Sequence, residues 1–86
     1  MAEEVQSPVT ILRRKQVQTR IGLSRSTLYL RIAEGTFTKP VSLGPRAVGW
    51  PAHEVAALNA ARIAGKPDGE IRKLVAQLEV ARKSVA

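Results

Sequence analysis

Residues 22–35 read GLSRSTLYLRIAEG, a run that carries its own start and stop signals. Gly22 suits the positive φ that closes a preceding helix, and Leu23 follows as an apolar anchor. Ser24 is placed to cap a new helix, because its hydroxyl can accept a bond from a free amide two or three residues on. The helix RSTLYLRIAE follows, and Gly35 stops it. Leu28 and Ile32 stand four apart and face inward together, which leaves Arg25, Ser26, Tyr29 and Arg31 outward or partly so.

Upstream, a short helix is predicted from Arg13 or Arg14 to about Arg20, with Val17 and Ile21 on one face. Two helices joined by a glycine-containing turn, the second polar and basic outside, form the helix-turn-helix pattern. An ordinary helical hairpin shares that spacing, so charge has to decide between them. The chain has 86 residues and a net charge of +7. Residues 8–50 carry eight bases against the single acid Glu34, a net of +7, while residues 51–86 carry a net of +2 and residues 1–7 a net of −2. The positive field therefore belongs to the half holding the helix pair, where it attracts a polyanion.

Downstream, TFTKPVSLGPRAVGW (36–50) changes period. Val41 and Leu43 alternate, as do Val48 and Trp50, with Gly44-Pro45 between the pairs. This predicts two short strands and a tight hairpin with Arg46 at or near its tip. A basic hairpin beside a recognition helix is a wing. Its arginine can reach DNA backbone or the adjacent minor groove, although a surface hairpin with a solvated arginine has the same sequence. Trp50, at a strand–helix junction, is read as a core plug under the wing. Pro51 opens the Ala-rich helix PAHEVAALNAARIA, whose larger apolar groups are Val55, Leu58 and Ile63. Gly65-Lys66-Pro67 breaks it. Asp68 is placed to cap a last helix, roughly 69–84, with Ile71, Leu74, Leu78, Ala81 and Val85 in heptad-like steps.

The run 22–50, with LRRKQV (12–17) before it and PAHEVAALNAARIA (51–64) after it, closely resembles the AlpA family of prophage-associated regulators. That family is related to MerR-like winged helices and to excisionases. The resemblance covers about residues 11–64, and LSRSTLY with AVGW at this distance is its specific part. It implies a winged helix-turn-helix with Ser24 to Arg31 in the recognition helix and Arg46 in the wing. It also implies regulation of transcription or a directing role in site-specific recombination, by a protein of phage or bacterial origin.

The expected fold is thus mainly α with a small β-hairpin, a winged helix-turn-helix plus a C-terminal helix. Residues 1–10 are read as a flexible tail, 11–64 as the DNA-binding domain, and 65–86 as a linker and amphipathic helix. The expected partner is double-stranded DNA. Arg25 is the candidate base reader, since its fork matches the O6 and N7 acceptors of guanine. Ser24, Ser26 and Thr27 are candidates for phosphate or base-edge bonds. Tyr29 is read as either a phosphate contact or a wing-packing group. Arg14 and Lys15, with Arg13, are read as a backbone-facing cluster at the start of the first helix. Arg31, Lys39 and Arg46 are assigned to flanking backbone. The stripe Ile71, Leu74, Leu78, Ala81 and Val85 has two destinations, folding back on Val55 and Leu58 or pairing with a second copy as a homodimer.

Three functions are carried forward: a sequence-specific transcriptional regulator, an excisionase-like factor that bends DNA, and a protein- or RNA-interaction module. RNA polymerase or a phage integrase would be the protein partner of the first two. An enzyme is not expected. Cysteine is absent and the single histidine, His53, stands beside Glu54 with no second histidine to form a metal set. Residues 44–49, GPRAVG, lack the Gly-Lys-Ser/Thr ending of a phosphate loop. No cofactor is expected. MAEEVQSPVT lacks a signal-peptide pattern and no apolar run nears the ~18 residues of a membrane span, so the expected location is the cytoplasm, away from membrane.

Overall fold

The computed structural model describes residues 10–84. The expected tail up to residue 9, and Val85 of the C-terminal stripe, lie outside the described residues. Helix α1 spans Arg14–Ile21 and α2 spans Arg25–Glu34. Between them Gly22 takes φ 69° and its amide donates to Gln18 O at 2.8 Å, the single-bond left-handed cap expected of a glycine there. At the far end of α2, Gly35 N donates to Ile32 O and Thr36 N to Arg31 O. These are the two bonds of the Schellman ending.

A short strand β1, Ile11–Leu12, precedes α1, and the hairpin β2 (Val41–Gly44) and β3 (Ala47–Pro51) follows α2. The sheet is antiparallel with order β1-β3-β2. Strand β1 was not expected: Ile11 lies opposite Pro51 and Leu12 opposite Trp50, and Ala52 N donates to Thr10 O at 2.8 Å, tying the last residue of the expected tail to the fold. Gly49 permits this pairing, since a Cβ there would strike Ile11 Cγ2 and come within 3.0 Å of Leu12 O. The hairpin strands lie where alternation placed them. Leu43 and Val48 are nonetheless exposed, and only Trp50 of the four alternating residues is buried.

Helices α3 (Ala52–Ile63) and α4 (Asp68–Ala81), with a 3₁₀ turn at Arg82–Ser84, complete the order. The core is drawn from nearly every element: Leu12, Val17, Leu28, Phe37, Trp50, Val55, Leu58, Ile71 and Val75. Ile63, expected to count among the apolar groups of α3, is 87% exposed. It falls off the stripe formed by Val55, Leu58 and Ala61. Asp68 is not a cap either. It lies inside the first turn of α4, accepting from Arg62 Nη1 at 3.0 Å, where its charge suits the positive end of the helix.

The C-terminal stripe is spent inside the chain. Ile71 and Val75 are buried core residues and Leu74 and Leu78 pack partly against them, whereas Ala81 is exposed. The buried face takes in 71, 74 and 78 as expected, and it also includes Val75 and Arg82 in place of Ala81. Of the two destinations foreseen, Ile71, Leu74 and Leu78 take the fold-back.

Position 82 has a specific partner. Glu54 is fully buried, and Arg82 grips it with two bonds, Nε to Oε2 at 2.8 Å and Nη2 to Oε1 at 2.7 Å. The hydrogen bond to Glu54 raises the pKa of Arg82 further above its already high ordinary value, with burial acting the other way. Arg82 Nη2 also donates to Lys39 O at 2.6 Å. Nothing in the sequence around either residue marks it for this pairing.

Two substitutions test this core. Trp50→Ala removes a fully buried indole and should cost ~3–5 kcal/mol, enough to leave a small domain largely unfolded by circular dichroism. Arg82→Ala strands the Glu54 carboxylate in the core and should cost a similar ~3–5 kcal/mol. Replacing Glu54 and Arg82 together with apolar residues should recover most of that loss in a thermal melt.

Candidate nucleic-acid interface

Helix α2 begins at a closed cap. Ser24 Oγ accepts from Thr27 N at 3.3 Å and donates to Thr27 Oγ1 at 3.0 Å. Two of the three side chains expected to offer hydroxyls to DNA are thus bonded to each other, and Ser24 builds the helix start, while Thr27 Oγ1 keeps its own O–H to donate. Behind them Leu28 is fully buried and Ile32 half-buried, seating the helix. Arg25, Ser26, Tyr29, Leu30 and Ala33 are exposed. Tyr29 is 39% and Leu30 55% exposed. Leu30 was missed in the sequence, although helical spacing places it beside Ser26 and Ala33 and opposite Leu28.

The wing and the start of α1 meet next to this helix. Arg13, Arg14, Lys15, Tyr29, Arg46 and Val48 line one concavity of about 330 Å³. Each is held differently. Arg13 Nε donates to Val48 O at 3.0 Å, tying the entry of α1 to the wing, and its backbone N donates to Gln16 Oε1 at 2.8 Å. Arg14 Nη1 donates to Gln18 Oε1 at 2.6 Å, and Gln18 Nε2 reaches Leu23 O in the interhelical turn at 3.5 Å. Lys15 is exposed. Arg46 stands at the hairpin tip with φ 60°. A non-glycine residue in this left-handed region costs ~1–2 kcal/mol, so the fold holds this arginine where glycine would be easier.

Four cations surround the hollow and no carboxylate lines it among the described residues. Such a cleft focuses positive potential and raises the local concentration of an anionic partner. Its shape and chemistry suit a phosphate backbone passing between wing and α1 while α2 lies in the neighbouring groove.

Of the residues assigned to flanking backbone, Arg31 and Lys39 are not brought into this cleft. Arg31 is half-buried on the opposite flank of α2, lining a separate hollow of about 210 Å³ with Ile21, Leu23, Phe37, Leu58 and Arg62. Lys39 lies at the root of the wing, its backbone N donating to Glu79 Oε2 at 2.9 Å and its carbonyl bonded to Arg82. Among the described residues no group of three or more His, Cys, Asp or Glu is placed to hold a metal ion, and no helix is long and apolar enough to cross a membrane.

Comparison with known proteins agrees with the architecture. The chain is 48% identical over 58 residues to the uncharacterized protein ORF88 of Enterobacteria phage P4, a match covering 67% of this chain and 66% of that protein, just under two thirds of its length. No solved structure matches. The family described as prophage CP4-57 regulatory protein (AlpA) matches residues 10–62, which take in β1, α1, α2, the wing and nearly all of α3. With more than half its length matched, the chain belongs to the AlpA family of prophage regulatory proteins.

Proposed function

We propose that the protein is a sequence-specific double-stranded DNA-binding regulator of transcription that acts by occupying its site, without catalysis. The observation that carries this reading is the cleft of Arg13, Arg14, Lys15 and Arg46 beside the exposed outer face of α2. Helix α2 is ten residues, roughly 15 Å long, a size that the B-form major groove admits. RNA fits less well. Its A-form major groove is too narrow for side chains to read, and single strands are bound on aromatic platforms. Of the three aromatics, Phe37 and Trp50 are buried in the core and Tyr29 alone is exposed.

In this reading Arg25 and Ser26 meet base edges from the first turn of α2. Leu30 offers an apolar contact of the kind that thymine methyl groups receive. Arg13, Arg14, Lys15 and Arg46 position the backbone, and Tyr29 bridges helix and cleft. The place of action is the cytoplasm of the host bacterium, where a bound chain would exclude or recruit RNA polymerase. Occupancy by one discrete complex in band shifts on duplex DNA supports the regulator. A ladder of complexes with strong bending would replace it with an excisionase-like role beside an integrase. Absence of duplex binding at moderate salt would reject both in favour of an acidic protein partner or RNA.

The electrostatic component has a measurable slope. With four to five phosphates neutralised, log K against log salt should fall with a slope between about −3.5 and −4.5. A slope flatter than about −2 would remove the cleft from the binding face.

The base reader and the wing should differ in kind. Arg25→Ala should cost ~1–3 kcal/mol and relax discrimination at one base position. Arg46→Gly should weaken binding to all sequences alike and reduce the salt slope by about 1. Because it relieves the left-handed φ, the same change should leave the free protein as stable as wild type or slightly more so in a thermal melt. A sequence-blind loss from Arg25→Ala would end its role as base reader.

A further inference from the structure

We infer that α4 and the turn after it are a positioning brace, which sets the wing relative to the recognition helix through Arg72, Glu79 and Arg82. The consequence for affinity rests on the DNA-binding reading above; the brace itself does not. Residues 35–40 join α2 to β2 without forming a helix or a strand. The far strand of the wing is held by β1 and by Arg13, and this stretch is the direct covalent link between α2 and the wing's first strand. Side chains of α4 and its following turn hold it at both ends.

At the α2 end, Arg72 Nε donates to Glu34 O at 2.9 Å, and the stem of Arg72 lies against Gly35. A guanidinium there satisfies a last-turn carbonyl and meets the negative end of the helix. At the wing end, both backbone polar groups of Lys39 are taken by the same element. Its N donates to Glu79 Oε2 at 2.9 Å and its carbonyl accepts from Arg82 Nη2 at 2.6 Å. Pro40 reinforces this, since a residue before proline is pushed to extended backbone. Arg82 is itself locked by the buried Glu54, so the wing root is referred back to α3. All three bracing residues lie beyond the family-matched region, residues 10–62.

Bulk stability does not explain the arrangement by itself. Ile71 and Val75 already bury α4 in the core, and hydrogen bonds at exposed sites, such as those of Arg72 and Lys39, contribute little net free energy. Their placement is what distinguishes them, since they engage Glu34 at one end of the connection and Lys39 near the other. Removing them should free the wing while leaving the helical body intact.

Arg72→Ala and Glu79→Ala test this without uncovering the Glu54 charge. In the free full-length chain, hydrogen exchange should accelerate at Lys39 and through residues 41–48, while amides of α1 and α3 and the melting temperature stay near wild type. Binding is then measured to a duplex that the wild-type chain recovers from a randomised DNA pool. Glu79→Ala should weaken it roughly threefold to tenfold, the span of one net hydrogen bond converted to an equilibrium constant. The loss should largely vanish when Arg46→Ala is already present and persist when Arg25→Ala is. Unchanged exchange in the wing would overturn the brace. So would a Glu79→Ala loss of equal size in the Arg46→Ala background. If the wild-type chain recovers no duplex, the DNA-binding reading fails, and the exchange experiment still judges the brace.

Discussion

The indole of Trp50 is the contact on which the rest of the structure turns. It is fully buried, and its Nε1 donates to Thr38 O at 2.9 Å. Thr38 stands just before the wing and Trp50 at its far end, so this one side chain joins the two roots of the hairpin. Trp50 also faces Leu12 across the sheet, which fixes β1 and therefore the entry of α1. A core with so few aromatics has no other group of this size to fill the junction. Its polar tip finds a partner, as a buried indole N–H must.

The parts legible in the sequence are those decided within a few residues. Gly22 and Gly35 donate their own amides to carbonyls four and three positions back, Ser24 accepts from the amide three positions on, and the hairpin follows from alternation around Gly44-Pro45. Strand β1 was not legible because two residues have no period. The Glu54–Arg82 pair joins positions 28 residues apart, and neither neighbourhood differs from that of a solvated charge. The packed face of α4 was legible only in part, for a related reason. Both Leu74 and Val75 fit an apolar stripe, and only the position of α3 determines which of them is buried. At the interface, charge identified Arg13, Arg14, Lys15 and Arg46, but it could not separate them from Arg31, which the twist of α2 carries to the other flank.

The basic cleft also sets a tension between stability and binding. Four cations gathered in one hollow repel each other in the free protein, and Arg46 adds backbone strain. The fold limits the repulsion by giving two of them local work: Arg13 grips the wing carbonyl of Val48 and Arg14 the amide of Gln18. A bound phosphate backbone would supply the missing negative charge, so the site is arranged for the complex at some cost to the isolated chain. Positive potential and a displaced counterion atmosphere serve encounter with any duplex. In the proposed role, discrimination would come from the outer face of α2, where Arg25, Ser26 and Leu30 are exposed.

Size explains why α4 belongs to the functional unit despite lying beyond the family-matched residues. A segment as short as 10–62 buries a smaller fraction of its surface than a larger domain does and has a thin core. Leaving α4 out would expose Val55 and Leu58 on α3 and strand the Glu54 carboxylate without its guanidinium. Those are defects in the scaffold that carries β3 and hence the wing. The helix that closes the core thus also holds the connection between α2 and the wing, because α4 packs on α3 and reaches Glu34 and Lys39 from there. In a domain this small, one added helix cannot complete the core without also influencing the geometry of the binding face. Differences in α4 between relatives should therefore alter how the wing is presented even where the α2 surface is the same.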